Sequence, residues 1–353
     1  MVLLFSPFSP SRRNWTKPAA SLRLNRTTLP CRHADGSPDT IAIKEILMFR
    51  ITHLFAAIAA AGLLAAPAQA QELTGTLKKI KDTGVVKVGH RDASVPFSYL
   101  DDQQKPIGYG MDICAKIVDR IKAELKMPNL KVEFVPVTSQ TRIPVLMGGN
   151  IDMECGSTTN SVERQKQVAF APTYFVTGTK IIVKKSSGIK GYDDLKGKTV
   201  VFTQGTTNER AMKAYNDEKK LGINFIPAKD HAESFLAVDT GRAVAFPMDD
   251  ILLYGLKAGA KNPNDFDVIG DFLSDDPYAI MLRKDDPAFK KLVDDTVSGL
   301  YKSGEINKLY TKWFESKIPP KGINLAFPMS DGLKAAIKSP NDTGVGACGR
   351  MKC

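Results

Sequence analysis

The sequence predicts an α/β protein of two lobes, each a sheet flanked by helices, with a ligand cleft between them. Three observations predict it. From residue 73 onward short apolar strands alternate with amphipathic helices, the pattern of a parallel sheet covered by helices. Near residue 179 the alternation starts again, over a section of similar size. No Gly/Ser-rich linker separates the two sections, so the junctions near Gly178 and Pro277 read as direct crossings.

In chain order, "LTGTLKKIKDT" (73–83) puts Leu73, Leu77 and Ile80 on one helical face, and Gly84 ends it. "VVKVGHR" (85–91) is a short buried strand followed by a loop. "MDICAKIVDRIKAEL" (111–125) has strong helical amphipathicity, and "LKVEFVPV" (130–137) reads as a strand. A helix over 141–149 is opened by a hydroxyl at Ser139 or Thr141 and closed by glycines, and "IDMECG" runs on as a strand. The second section predicts strands at 179–185, 199–205, 223–229 and 243–250. Its helices fall at 191–198, 208–220, 231–241 and 251–259. A strand at 279–286, two more helices and a Pro-rich wrap complete the chain, and residues 343–353 read as a flexible tail.

Residues 48–70, "MFRITHLFAAIAAAGLLAAPAQA", have the layout of a secretory signal peptide, cut after Ala70. The apolar run from Leu54 to Ala66 falls short of the roughly 20 residues that span a bilayer. Residues 1–47 carry scattered arginines among Ser and Pro without periodicity. They are expected to be a misassigned start upstream of Met48, with a basic disordered extension as the alternative. Of 49 basic and 38 acidic residues, 8 and 3 precede Gln71, which leaves a net charge of about +6. That charge, with no basic run interleaved with aromatics, gives no nucleic-acid signal.

Four cysteines follow the leader, none in a CxxC pair, and with only His90 and His231 a zinc site has poor support. No cofactor is expected. Cys348 and Cys353 sit close enough for a small terminal loop. Cys114 and Cys155, in apolar surroundings, are expected as buried thiols, with a bridge left open.

Ligands in open α/β sheets sit beyond the C-terminal ends of parallel strands. Those positions here hold Arg91, then Ser139 and Arg142, then Ser157 and Thr159, followed by Arg164. In the second section they hold Gly205, Thr206 and Thr207, then His231 and Asp249. Three arginines at one rim suit an anion with more than one carboxylate, since guanidinium matches carboxylate in a bidentate way. Thr206 and Thr207 open a helix whose N-terminus favours an anion, although plain capping explains them equally. Asp249 is a natural partner for an ammonium group, and Asp250 beside it leaves the choice open. A Ser157/His231/Asp249 triad has no nucleophile elbow to support it, and "GSTTN" lacks the glycines and lysine of a phosphate loop.

"GHRDASVPFSY", "VTSQTRIPVL", "DMECGSTTNSVERQKQVAFAPTYF", "QGTTNE", "AKDHAESF" and "GRAVAFPMDD" together resemble one family. It is the glutamate/aspartate-binding branch of the family 3 periplasmic solute-binding proteins of bacterial ABC transporters. The resemblance runs from about Leu73 to Asp342 and leaves out residues 1–47 and the terminal "GACGRMKC". It implies a type II periplasmic-binding fold and a monomer that captures L-glutamate or L-aspartate by lobe closure. The loaded form would dock on an inner-membrane permease coupled to a cytoplasmic ATPase. Arg164, with Thr159 and Thr207, would clamp the α-carboxylate. The Ser157 carbonyl, Thr159 and Asp249 would hold the α-ammonium, and Arg91, Ser139, Arg142 and His231 the side-chain carboxylate. The rivals are a dehydratase on the same fold, with Glu154 or Asp249 as general acid, and a ligand-sensing domain.

Overall fold

The computed structural model describes residues 73–346. The expected leader 48–70, the segment before it and the Cys348/Cys353 loop lie outside the described residues. The chain from Gln71 onward forms one compact unit.

The first sheet grows from α1 (Gly75–Thr83), β1 (Val85–His90), α2 (Tyr109–Leu125), β2 (Lys131–Pro136), α3 (Arg142–Met147) and β3 (Met153–Glu154). A short helix α4 (Val162–Gln165) and β4 (Val168–Phe170) follow, and then β5 (Phe175–Thr177) leaves for the second lobe. The second sheet is built from β6 (Thr179–Lys184), β7 (Thr199–Thr203), α5 (Thr207–Lys219), β8 (Asn224–Ala228), α6 (His231–Asp239), β9 (Ala245–Asp249), α7 (Asp250–Gly259) and β10 (Phe266–Ile269). The chain returns along β11 (Asp276–Tyr278) to β12 (Met281–Arg283). It ends with α8 (Pro287–Lys302), α9 (Glu305–Tyr310) and α10 (Asp331–Lys338).

The two sheets share one plan. Strand order is β2-β1-β3-β12-β4 in the first and β8-β7-β9-β6-β10 in the second. In each, three strands run parallel, and the strand arriving from the other lobe joins antiparallel, β12 against β3 and β6 against β9. The parallel sheet expected from the alternation of strands and helices is mixed in both lobes. Strands β6 and β12 enter directly from a crossing, without the helical connection that a parallel neighbour needs. The crossings β5 and β11 pair antiparallel, Thr177 opposite Asp276 and Phe175 opposite Tyr278, so two adjacent strands join the lobes.

Burial explains the helices. Ile113, Cys114, Ile117, Val118 and Ile121 of α2 fall at helical spacing and are buried, which drives its apolar stripe onto the sheet. Phe97, Tyr109, Phe175, Tyr278 and Phe314 pack with ring centroids 4.8–6.3 Å apart, tying both crossing strands into the first lobe's core.

Several local expectations change. The helix expected over 191–198 is one 3₁₀ turn, Asp193–Leu195, because Gly197 at φ 66° turns the chain before a second turn forms. Cys114 of α2 and Cys155 after β3 are not free thiols but a disulfide closing 41 residues of chain. Within residues 343–346, expected to begin a flexible tail, Val345 pairs with the loop after β3, bridging Ser161 in parallel register.

Candidate functional site

The loop after β3, residues 155–161, faces the N-termini of α5 and α6 across the crossing strands. Between them lies a cavity of about 10 Å³, lined by Ser139, Arg142, Ser157, Thr159, Thr206, Thr207, Asn208, His231 and Asp249, with Met248 and Leu252 as its apolar wall. Eight of the ten residues expected from sequence line it. Arg91 and Arg164 stand one contact back, Arg91 beside His231 and Arg164 beside Thr159.

At one end are Arg91, Ser139, Arg142 and His231, all buried. Arg142 Nη1 donates to the Ser157 carbonyl at 3.2 Å and to Thr158 Oγ1 at 2.6 Å, and Thr158 donates to Glu154 Oε2 at 2.5 Å. Arg91 Nη2 lies 3.4 Å from His231 Nε2. Since guanidinium can only donate, Nε2 accepts, and Nδ1 carries the proton that it gives to Thr203 Oγ1 at 3.0 Å. Burial first, then Arg91 and Arg142, push the His231 pKa well down, so the ring is neutral at pH 7. Burial and then Arg142 lower the Arg91 pKa to about 10, and burial lowers that of Arg142. Both remain cations at neutral pH, in a place where a cation is poorly solvated.

Three donors here are buried without a hydrogen-bond partner: Arg91 Nη1, Arg142 Nε and Ser139 Oγ. Orphaned buried donors are rare and each costs roughly 1–3 kcal/mol, more when charged. Ser139 and Arg142 line the cavity and Arg91 stands behind His231, so this end suits an anion, although Glu154 Oε1, an acceptor, is also buried without a partner.

At the other end, Asp249 closes β9. Its Oδ1 accepts from Asn208 Nδ2 at 2.9 Å and its Oδ2 from the Tyr278 hydroxyl. Burial, then the Asp276 carboxylate, raise its pKa well above the usual range, against the two donors. Asp250 opens α7 instead and accepts from Thr177 Oγ1 at 2.7 Å. It does not line the cavity, which resolves the Asp249/Asp250 ambiguity as far as placement goes.

Between the ends, side chains of the two lobes meet. Thr159 Oγ1 donates to Asp276 Oδ1 at 2.9 Å, so the 3.2 Å contact with Thr207 Oγ1 is donated by Thr207, from the other lobe. Ser161 caps α4 by accepting from the Arg164 amide at 3.3 Å. The Arg164 side chain turns back to the Thr159 carbonyl at 2.8 Å and crosses to the Gly205 carbonyl at 3.1 Å. Burial, then Arg142 and Arg210, lower its pKa to about 9. Thr206 spends its hydroxyl on capping α5, accepting from Glu209 N at 3.1 Å and donating to the Thr203 carbonyl at 2.9 Å.

Three residues of the site, Asn208, Asp276 and Tyr278, were not singled out by the chain pattern. Asn208 sits in the first turn of α5, where polarity reads as ordinary helix opening. Asp276 and Tyr278 lie on β11, which marks only a crossing in the sequence. Gly205 has φ 78°, and a Cβ there would meet the Gln140 Cα at 2.7 Å and the Ser139 carbonyl at 3.0 Å, so the lobes touch backbone to backbone. Gly205 is expected at this strand end from the sequence, and its contact with Gln140 and Ser139 is what the structure adds.

Two mixed sheets joined by a pair of crossing strands, with a polar cleft at their strand ends, define a two-lobed binding protein. Residues 86–316 match the model of the bacterial extracellular solute-binding proteins, family 3, and the chain belongs to that family. An L-glutamate/L-aspartate-binding protein of Pseudomonas aeruginosa is 58% identical over 283 residues, covering 80% of this chain and 94% of that one. A glutamate/aspartate import solute-binding protein of Escherichia coli K12 is 50% identical, covering 82% and 96%. Among solved structures, an arginine-binding protein mutant of T. maritima superposes with a TM-score of 0.60 at 30% identity, covering 68% of this chain and 99% of that one. An ancestral amino acid-binding protein, a precursor of cyclohexadienyl dehydratase, gives 0.58 at 31% identity, covering 68% and 99%.

Proposed function

We propose that this protein captures acidic L-amino acids, glutamate or aspartate, by closure of its two lobes and delivers them to an ABC-type importer. The observation that carries the reading is the set of orphaned buried donors on Arg91, Ser139 and Arg142. A side-chain carboxylate would satisfy all three, whereas a neutral or basic side chain would leave them unpaired. Arg164 with Thr159 and Thr207 would take the α-carboxylate. Asp249, Thr159 and the Ser157 carbonyl would take the ammonium, with Arg142 giving up that carbonyl when the ligand enters. The glutamate- and aspartate-binding relatives support the same assignment.

A cavity of about 10 Å³ has room for one water, not for an amino acid. Entry therefore requires the lobes, residues 71–177 with 278–342 and residues 178–277, to part about β5 and β11. Closure would follow when ligand contacts on both sides favour it. The partners are an inner-membrane permease and its cytoplasmic ATPase. We take the working form to be a periplasmic monomer that begins at Gln71 after signal-peptide cleavage.

Glu154 does not line the cavity, so a dehydratase reading has no general acid from that residue there. Calorimetric titration of residues 71–353 with an amino-acid panel tests the proposal. Micromolar or tighter binding of L-glutamate and L-aspartate is expected, about −8 kcal/mol or beyond. Strong binding of arginine or glutamine with none of glutamate would overturn it.

A further inference from the structure

The loop that carries Thr159 and Arg164 is held from both sides. On its inner side the Ala279 amide donates to the Thr158 carbonyl at 3.1 Å and the Asn160 amide to the Pro277 carbonyl at 2.7 Å, so it lies along the crossing strand β11. On its outer side lies the end of the chain. The Val162 amide donates to the Val345 carbonyl at 2.9 Å, and the Val345 amide donates back to the Asn160 carbonyl at 3.1 Å. Asn160 Nδ2 and Gln165 Nε2 both donate to the Asp342 carbonyl, at 2.9 and 2.7 Å. The tail thus adds a third, outer strand to a ribbon whose inner strand is a crossing strand.

The approach is tight. A Cβ on Gly344 would stand 2.8 Å from the Val162 nitrogen and 2.9 Å from the Ser161 carbonyl carbon. The tail is itself anchored. Asp342 pairs with Lys290 of α8 at 2.9 Å, and the Asn341 carbonyl accepts from the Thr173 amide at 3.1 Å. Ahead of it, α10 is capped by Ser330, and Gly332 lies against Val176 of β5. The bonded residues, 160, 162 and 165, adjoin the two site residues Thr159 and Arg164 in the chain. Ser161, which caps the helix presenting Arg164, sits directly opposite Val345.

We infer that residues 342–345 form a positioning strap that fixes the amino-acid-recognition loop 159–164 from outside the cleft, and so sets ligand affinity. This rests on the binding function proposed above. Without the strap, the loop keeps its bonds to β11, to Asp276 and to the facing lobe but loses its outer support, and part of the ordering of Thr159 and Arg164 falls at the moment of binding. The strap touches neither Arg91 nor His231, so it acts on the part common to all amino acids and leaves side-chain discrimination alone.

The test compares Val345→Pro, which deletes the amide donor, with Val345→Ala, which keeps it. Titration with L-glutamate and with L-aspartate should show Val345→Pro about tenfold weaker for both, with their affinity ratio unchanged, and Val345→Ala close to the unaltered chain. Equal affinity in Val345→Pro and Val345→Ala overturns the strap. If Val345→Pro folds poorly, a chain ended after Ser339 decides: a tenfold loss with an intact fold supports the strap, and unaltered affinity refutes it. Should the unaltered chain bind no amino acid, the binding function is what has failed. The strap is then judged by hydrogen exchange at the Val162 amide, where unchanged protection in Val345→Pro refutes it.

Discussion

The guanidinium of Arg164 spans the two lobes, donating to the Thr159 carbonyl in its own loop and to the Gly205 carbonyl at the start of α5 opposite. One buried cation thereby holds the recognition loop and the facing helix N-terminus in register. Arg164→Ala should weaken every amino acid that binds, by about tenfold or more, as a charge-assisted bond of roughly 1.5–3 kcal/mol is lost. Calorimetry across the panel measures it. Retained affinity for all ligands would place the α-carboxylate elsewhere.

Arg142 should separate from Arg164 in the same measurements. Its Nε is buried without a partner, as are Arg91 Nη1 and Ser139 Oγ. Arg142→Ala is expected to cost glutamate and aspartate tens-fold and to leave the weak binding of neutral amino acids nearly level. Parallel losses for acidic and neutral ligands would remove the division of labour.

The raised pKa of Asp249 makes binding proton-linked. Above the ordinary carboxyl value of 3.8 the unfolded chain has released this proton while the folded, empty protein holds it, so ligand-free stability falls as pH rises toward the raised folded value. An ammonium favours the carboxylate, so ligand entry should release the proton, and affinity should fall as pH drops through that window. Calorimetry in buffers of different ionisation enthalpy reads the released proton directly. His231 acts in the other direction on acidification: the unfolded chain takes up a proton below pH 6.5 and the folded ring does not, so melts should show acid destabilisation that His231→Gln reduces.

Gly205→Ala should impair closure. Its φ of 78° and the 2.7 Å approach of the Gln140 Cα leave no place for a methyl group with the lobes together. We expect a stability cost of about 1–3 kcal/mol and weaker binding of all ligands, read by denaturant melts and titration. A variant that binds and melts like the parent would show that the lobes do not need this contact.

The Cys114–Cys155 disulfide ties α2 to the residue that begins the recognition loop and closes 41 residues. Replacing both cysteines by alanine should lower unfolding free energy by about 2–4 kcal/mol on chain-entropy grounds. Urea melts with and without reductant check this: the parent should lose stability on reduction and the double variant should not respond.

Much of this was legible along the chain because it depends on local periodicity. Alternating strands and helices, their restart near Thr179 and the clustering of Arg, Thr, Ser and Asp at strand ends all come from residues within one turn or one strand of each other. They were enough to place Arg142, Ser157, Thr159, His231 and Asp249 around one cavity. What only the tertiary structure decided involves residues far apart in sequence. The antiparallel entry of β6 and β12, the partnership of Cys114 with Cys155, the Asp276 carboxylate that takes the hydroxyl of Thr159 and the pairing of Val345 with Asn160 and Val162 leave no periodic trace. Local pattern reports which face of an element is apolar. Which distant backbone or carboxylate meets a given hydroxyl is set by how the two lobes fold back on each other.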